Sequence, residues 1–170
     1  MADDEPRSVR RLFDGAVLSL DVEDWGQPYE HEVVRHPGAA AVLPVTPDGH
    51  VLLVRQFRPA IRSTLTEIPA GLLDVEDEDA LTCAARELHE ETGFRHESIE
   101  FLGGYYATAG CSNEYVHLFV ARTRAQPEAE PEPGLTLVRE PRDAMVAAAR
   151  AGRVRDVKTA LALLMADGRF

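Results

Sequence analysis

The sequence predicts an α/β (α+β) fold: a mixed β-sheet sandwiched between helices, with a small antiparallel sheet at its N-terminal end. Three observations point there. Two strongly apolar runs, residues 39–45 and 50–57, are separated only by a Pro47-Asp48-Gly49 turn, and continuous apolar runs of this kind suit strands buried on both faces. A helical pattern over residues 79–92 is flanked by strand-like segments, and two more helical patterns close the chain. Strands on either side of one helix, followed by helices, pack as a sheet covered on both sides.

Taken in order, residues 1–6 are acidic and polar and are expected to fray. Residues 9–21 read as strand through Leu12, Val17, Leu18 and Leu20, Gly26-Gln27-Pro28 as a turn, and residues 29–35 as a return strand. The break at His36-Pro37-Gly38 divides the chain into N-terminal antiparallel strands, 1–37, and a main domain, 38–170. After the two apolar strands, residues 66–68 form a short strand leading into Pro69-Ala70-Gly71. The helix over 79–92 stops at Gly93, a residue suited to a left-handed cap. Strands follow over 99–107 and 115–121. Residues 126–134 interleave prolines with glutamates and read as a loop. Helices over 141–151 and 157–166 finish the chain, with Pro141 suited to a first helical turn.

The formal net charge of −11 argues against a nucleic-acid binder, because a phosphate backbone needs a basic surface. It leaves a phosphorylated small molecule open, since a metal ion can sit between an acidic protein and an acidic ligand. Two cysteines, Cys83 and Cys111, are too few for a disulfide framework and suit a reducing compartment. The N-terminal segment has no apolar core of signal-peptide length, and no run reaches the roughly 18 apolar residues of a membrane span. A cytoplasmic location without membrane attachment is expected.

The chemistry concentrates in residues 71–94, GLLDVEDEDALTCAARELHEETGF. At about 100° per residue, Leu81, Ala84, Ala85, Leu88 and Thr92 share one arc, which predicts a buried stripe. Glu87, Glu90 and Glu91 share the neighbouring arc at i, i+3 and i+4 spacing, so their carboxylates crowd. Like charges near a helix C-terminus repel each other and oppose the macrodipole. A compensating cation resolves both problems, and hard oxygen ligands select Mg²⁺, Mn²⁺ or Ca²⁺. Gly71 lets the backbone turn ahead of the helix and frees the Ala70 carbonyl as a further ligand. Arg86 is placed to pair with Glu90 or Glu78.

The segment resembles the Nudix box: Gly, five residues, Glu, seven residues, then Arg-Glu-apolar-x-Glu-Glu-x-Gly-apolar. Gly71, Glu78, Arg86, Glu87, Leu88, Glu90, Glu91, Gly93 and Phe94 match. One departure is that six residues separate Gly71 from Glu78; the extra residue is assigned to the loop 74–77, where insertions cost little. Beyond the box, Val54-Arg55-Gln56-Phe57-Arg58-Pro59, Glu67-Ile68-Pro69-Ala70-Gly71 and Asp156-Val157-Lys158-Thr159 resemble the branch of Nudix hydrolases that cleaves ADP-ribose and other nucleoside diphosphate sugars. The opening strands resemble it too; in that branch they form a small sheet exchanged across a homodimer.

This resemblance implies the Nudix fold and a Mg²⁺-dependent hydrolase, with Mn²⁺ as a substitute. It acts on the pyrophosphate bond of a nucleoside diphosphate sugar, ADP-ribose above all, giving AMP and ribose 5-phosphate. The implied metal ligands are Ala70, Glu87, Glu90 and Glu91, and the implied catalytic residues are Glu90, Glu91, Arg86 and a glutamate of the 126–134 loop. Glu128, Glu130 and Glu132 are candidates for the last, with Glu130 carried forward. Trp25, Arg55, Arg58, Glu67 and Glu114 are the substrate-binding candidates. The arginines suit phosphate and ribose oxygens, and Trp25 suits stacking on a base. Ala109 stands where relatives of this branch usually carry proline. The alternatives are a pyrophosphatase for UDP-glucose or GDP-mannose, and a non-catalytic nucleotide-sugar sensor on the same fold.

Overall fold

A computed structural model describes residues 5–169. The expectation for residues 1–6 therefore lies mostly outside the described residues.

The N-terminal segment forms three strands, β1 (Ser8–Asp14), β2 (Ser19–Asp24) and β3 (His31–Arg35), paired antiparallel in that order. The sequence pattern over 9–21 read as one strand. It is two, joined by a tight turn in which Gly15 donates its N–H to the Leu18 carbonyl at 3.0 Å. This sheet docks on the rest of the chain through β3. The Val34 N–H donates to the Cys111 carbonyl at 2.8 Å, and the His36 N–H donates to Asn113 Oδ1 at 2.8 Å.

The main sheet contains β4 (Ala39–Val45), β5 (His50–Arg58), β6 (Ser63–Glu67), β7 (Ala70–Leu72), β8 (His96–Tyr106), β9 (Tyr115–Thr123) and β10 (Thr136–Pro141). Its main path runs β10-β5-β4-β9-β8, with β6 paired to β5 and β7 to β4. β4 and β9 are parallel and the other pairs antiparallel, so the sheet is mixed as predicted. Helix α1 (Ala80–Thr92) covers one face; α2 (Arg142–Arg150) and α3 (Val157–Ala166) cover the other.

Strand β4 shows why its sequence is apolar throughout. Successive side chains point to opposite faces. Ala39, Ala41, Leu43 and Val45 join Val146, Ala149, Ala162 and Leu163 in the core under α2 and α3. Ala40 and Val42 pack with Cys83, Ala84 and Leu88 of α1. All seven β4 residues are buried, and the small Ala40 side chain lets α1 approach closely.

The stripe on α1 is shifted from its expected position. Leu81 is 44% exposed, whereas Cys83 and Glu91 are buried beside Ala84, Leu88 and Thr92. The helix begins where the sequence placed it: the Asp79 side chain caps it, accepting from the Thr82 N–H at 2.7 Å. Gly93 ends it in the left-handed region, φ 76°. Strand β10 was not expected; it pairs along β5 and delivers the chain into α2.

Candidate active site

The candidate site is built where β7 passes the C-terminal half of α1. A Cβ added to Gly71 would overlap the Glu87 carboxylate. Gly71 is therefore required for close approach of that carboxylate to the strand, and it pairs regularly with Ala40 rather than making the sharp turn expected of it. The extra residue before Glu78 is absorbed one turn earlier. The Glu78 N–H donates to the Val75 carbonyl at 3.2 Å, and Asp77 takes a left-handed conformation, φ 62°.

Arg86 is the hub. Its Nε and Nη2 donate to the two oxygens of Glu78 at 2.8 and 2.9 Å, and its Nη1 donates to Glu87 at 2.6 Å and Glu90 at 3.0 Å. The Glu78 bonds, foremost, and those to Glu87 and Glu90 raise the guanidinium pKa above its ordinary value and hold the Glu78 carboxyl below its own. Glu91 lies outside this set. It is 6% exposed, and it accepts from the Ala70 N–H at 3.2 Å. Burial, followed by the charge of Glu87, pushes its carboxyl up to about 8. Burial also raises Glu87, against the pull of Arg86. Three carboxylates thus share one guanidinium, and Glu91 is buried outside that set.

Among the described residues no three His, Cys, Asp or Glu side chains converge closely enough to hold a metal ion as they stand. Arg86 holds one oxygen each of Glu87 and Glu90. The donor set nevertheless fits a hard divalent cation. It offers carboxylate oxygens in negative excess, one of them buried, beside a strand that glycine keeps open.

The other expected residues separate into groups. Glu67, 2% exposed, is held by Arg58 at 2.7 and 2.9 Å and by Lys158 at 3.2 Å. Lys158 also donates to Asp156 at 2.7 Å. Asp156 caps α3 through the Thr159 N–H at 2.9 Å, and the Thr159 hydroxyl accepts from the Ile68 N–H at 2.8 Å. The Asp156-Val157-Lys158-Thr159 motif therefore locks α3 onto the segment between β6 and β7. Glu67 is bound within the protein rather than free for a ligand. Arg58 feels the charge of Glu91 as well as that of Glu67. Arg55 is exposed on β5 with only a long contact, 3.5 Å, to Thr66. Glu114 serves the loop through its backbone, its N–H donating to Ser112 Oγ at 3.1 Å and its carbonyl accepting from the Ala107 N–H at 3.1 Å.

Trp25 lines a cleft of about 450 Å³ between the N-terminal sheet and the 106–113 segment, with Ala109 on the opposite wall. In the 126–134 loop, Glu130 is exposed. Glu132 is the carboxylate of that loop whose charge acts on Glu87 and Glu91, and its N–H donates to the Glu90 carbonyl at 2.9 Å. Only the contact between loop and helix end tells the two glutamates apart.

The NUDIX domain family model matches residues 34–162. The chain belongs to the NUDIX domain family. Its relatives include an ADP-ribose pyrophosphatase of Bacillus subtilis, 42% identical over 115 residues, covering 65% of this chain and 62% of the relative. An ADP-ribose pyrophosphatase of Mycobacterium tuberculosis is 35% identical over 137 residues, 76% of this chain and 66% of the relative. A GDP-mannose pyrophosphatase of Yersinia enterocolitica is 32% identical over 144 residues, 78% and 74%. The matches thus span just under two thirds of the length of the two ADP-ribose pyrophosphatases. Among the described residues, no helix of this Nudix chain is long and apolar enough to cross a membrane.

Proposed function

We propose that this chain hydrolyses the pyrophosphate bond of a nucleoside diphosphate sugar, ADP-ribose first among them, to AMP and ribose 5-phosphate. The observation that carries this is the α1 cluster: Glu78, Glu87 and Glu90 gathered on Arg86, with Glu91 buried and uncompensated beside Ala70. Such an excess of carboxylate is costly for folding alone and suits a site whose charge is completed by a cation and a diphosphate. Glu87, Glu90, Glu91 and the Ala70 carbonyl would hold Mg²⁺, or Mn²⁺ in its place. Bound there, the ion would supply Lewis acidity toward phosphoryl oxygens and a more acidic water.

The chain's own groups do the rest. Arg86 draws Glu78, Glu87 and Glu90 together and orients them. Arg55, exposed on β5, and Arg58 supply donors for phosphate and ribose oxygens. Glu132, carried over the helix end by its loop, takes the general-base role that the sequence assigned to Glu130. Trp25 offers an aromatic face to the base. Residues 1–37 serve as the dimerisation unit. Val9, Leu12 and Phe13 of β1 and Val17 and Leu18 of the β1–β2 turn are all exposed, an apolar area that a second copy would cover. The chain acts on a small molecule in the cytoplasm, without nucleic acid or membrane partners.

GDP-mannose is the second reading, favoured by the relative of that name. The test is kcat/KM for ADP-ribose, GDP-mannose, UDP-glucose and NADH at one Mg²⁺ concentration. ADP-ribose is expected to lead. Another nucleotide sugar ahead by more than about tenfold, about 1.4 kcal/mol in transition-state binding, overturns the substrate, and no hydrolysis of any overturns the activity.

A further inference from the structure

The N-terminal sheet contains two carboxylates that its size does not call for. Asp21 and Glu23 are each 3% exposed, and they lie two residues apart on β2, hence on one face of the sheet. Arg11 of β1 donates to both Asp21 oxygens, to Oδ2 at 3.4 Å, and Arg35 of β3 donates to Oδ2 at 3.0 Å. These bonds, Arg11 first, hold the Asp21 carboxyl below its ordinary range. Arg35 also grips Glu23 through Oε1, and the remaining Glu23 oxygen, Oε2, accepts from the Trp25 indole N–H at 2.9 Å. Positive and negative groups therefore alternate across all three strands, Arg11, Asp21, Arg35, Glu23, and end on the indole.

Trp25 needs such a support. It stands just past the end of β2, in the connection to β3, where side chains are ordinarily mobile. Its backbone is steadied by the Gly26 N–H donating to Asp24 Oδ1 at 2.7 Å, and its ring by Glu23. The cleft it lines also carries Gln27, His31, Tyr106 and Asn113, and Tyr106 is itself braced edge-on by Tyr115 at 5.0 Å. Aromatic faces with amide donors and acceptors between them are the chemistry that recognises a nucleobase.

Here two buried carboxylates meet half-exposed arginines, an arrangement that adds little stability over apolar packing and that can fix geometry. We infer that Glu23 and Arg35 are positioning residues, which fix the plane of Trp25 so that the cleft is preorganised for the base of the substrate. This rests on the hydrolase reading above in that the base belongs to a nucleoside diphosphate.

Trp25 is the chain's single tryptophan, so its fluorescence reports the inference directly. The full-length protein is titrated with AMP, followed by Trp emission, and the steady-state anisotropy of the free protein is recorded. In the wild type, AMP is expected to quench Trp25. Glu23→Leu is expected to lower the anisotropy of the free protein and to raise both the Kd for AMP and the KM for ADP-ribose by about tenfold, with kcat within about twofold. Glu23→Gln keeps an acceptor for the indole N–H and is expected to restore most of both. Should Glu23→Leu fail to fold by circular dichroism, Arg35→Gln moves the same readouts the same way by a smaller factor.

Wild-type anisotropy and AMP affinity in a folded Glu23→Leu overturn the inference, as does a loss confined to kcat. A wild-type protein that hydrolyses nucleoside diphosphate sugars yet shows no quenching by AMP overturns it too, and leaves the hydrolase reading standing. Quenching without hydrolysis does the reverse.

Discussion

Two acidic clusters of the molecule differ in charge balance. At the start of α3, Glu67 and Asp156 meet Arg58 and Lys158, two negative groups against two positive. Burial would lower the Lys158 ammonium, but Asp156 and then Glu67 outweigh it and hold it above its ordinary value. At α1, Glu78 just ahead of the helix and Glu87 and Glu90 on it share Arg86, while Glu91 is held by the Ala70 N–H. The balanced cluster is complete within the protein and fastens α3 to the sheet. The unbalanced one keeps an excess of carboxylate, which the proposed function assigns to a cation site. Buried carboxylates alone do not mark a site; an uncancelled excess of them does.

The largest expected effect separates the two clusters by activity. Glu87→Gln and Glu91→Gln are each expected to lower kcat for ADP-ribose by at least about 100-fold, the scale of losing one key electrostatic group, with circular dichroism unchanged. Glu67→Gln is expected to act on stability instead. It leaves Arg58 and Lys158 facing a neutral buried group, at a cost of about 3 kcal/mol. Thermal unfolding would show this as a fall in Tm of roughly 6–12 °C, at about 2–4 °C per kcal/mol.

A smaller effect concerns pH. The Glu91 carboxyl stands at about 8 in the folded protein against an ordinary 4.5. A raised folded-state pKa gives stability that is fully present below the unfolded value and is lost as pH rises through the folded one. Metal-free protein should therefore lose stability between about pH 5 and pH 8 on account of this group. Glu91→Gln lacks that loss. Its stability relative to wild type is expected to grow by more than about 1 kcal/mol across the window, since one pKa unit corresponds to about 1.4 kcal/mol. Denaturant midpoints at pH 5 and pH 8 in chelator check this, and a gap that stays constant contradicts it.

Much of this was legible in the sequence because it is local. The apolar run of β4, the Asp79 cap and Gly93 stop of α1, and the match from Arg86 to Phe94 each depend on neighbours within a few residues. What was missed depends on contacts between distant segments. Strand β10 has an irregular half-buried pattern and ends at Pro141, so its pairing with β5 leaves little periodic signal. The pairing of Glu67 with Lys158 joins residues 91 positions apart, and Glu67 therefore looked available to a substrate. Gly71 looked like a turn residue because its reason for being glycine, the Glu87 carboxylate lying against it, sits on another element. Glu130 and Glu132 cannot be ranked by composition, and only the docking of their loop on the end of α1 distinguishes them.

Equilibrium binding of Mn²⁺ without substrate tests the contrast most directly, measured on wild type, on Glu87→Gln/Glu91→Gln together, and on Glu67→Gln below its Tm. The α1 excess should draw the cation and the balanced cluster should not. Wild type and Glu67→Gln are expected to bind with the same affinity, and the double variant to lose at least about tenfold, the lower bound for removing charged ligands from a carboxylate site. Undiminished binding in the double variant, or an equal loss in Glu67→Gln, would contradict the account.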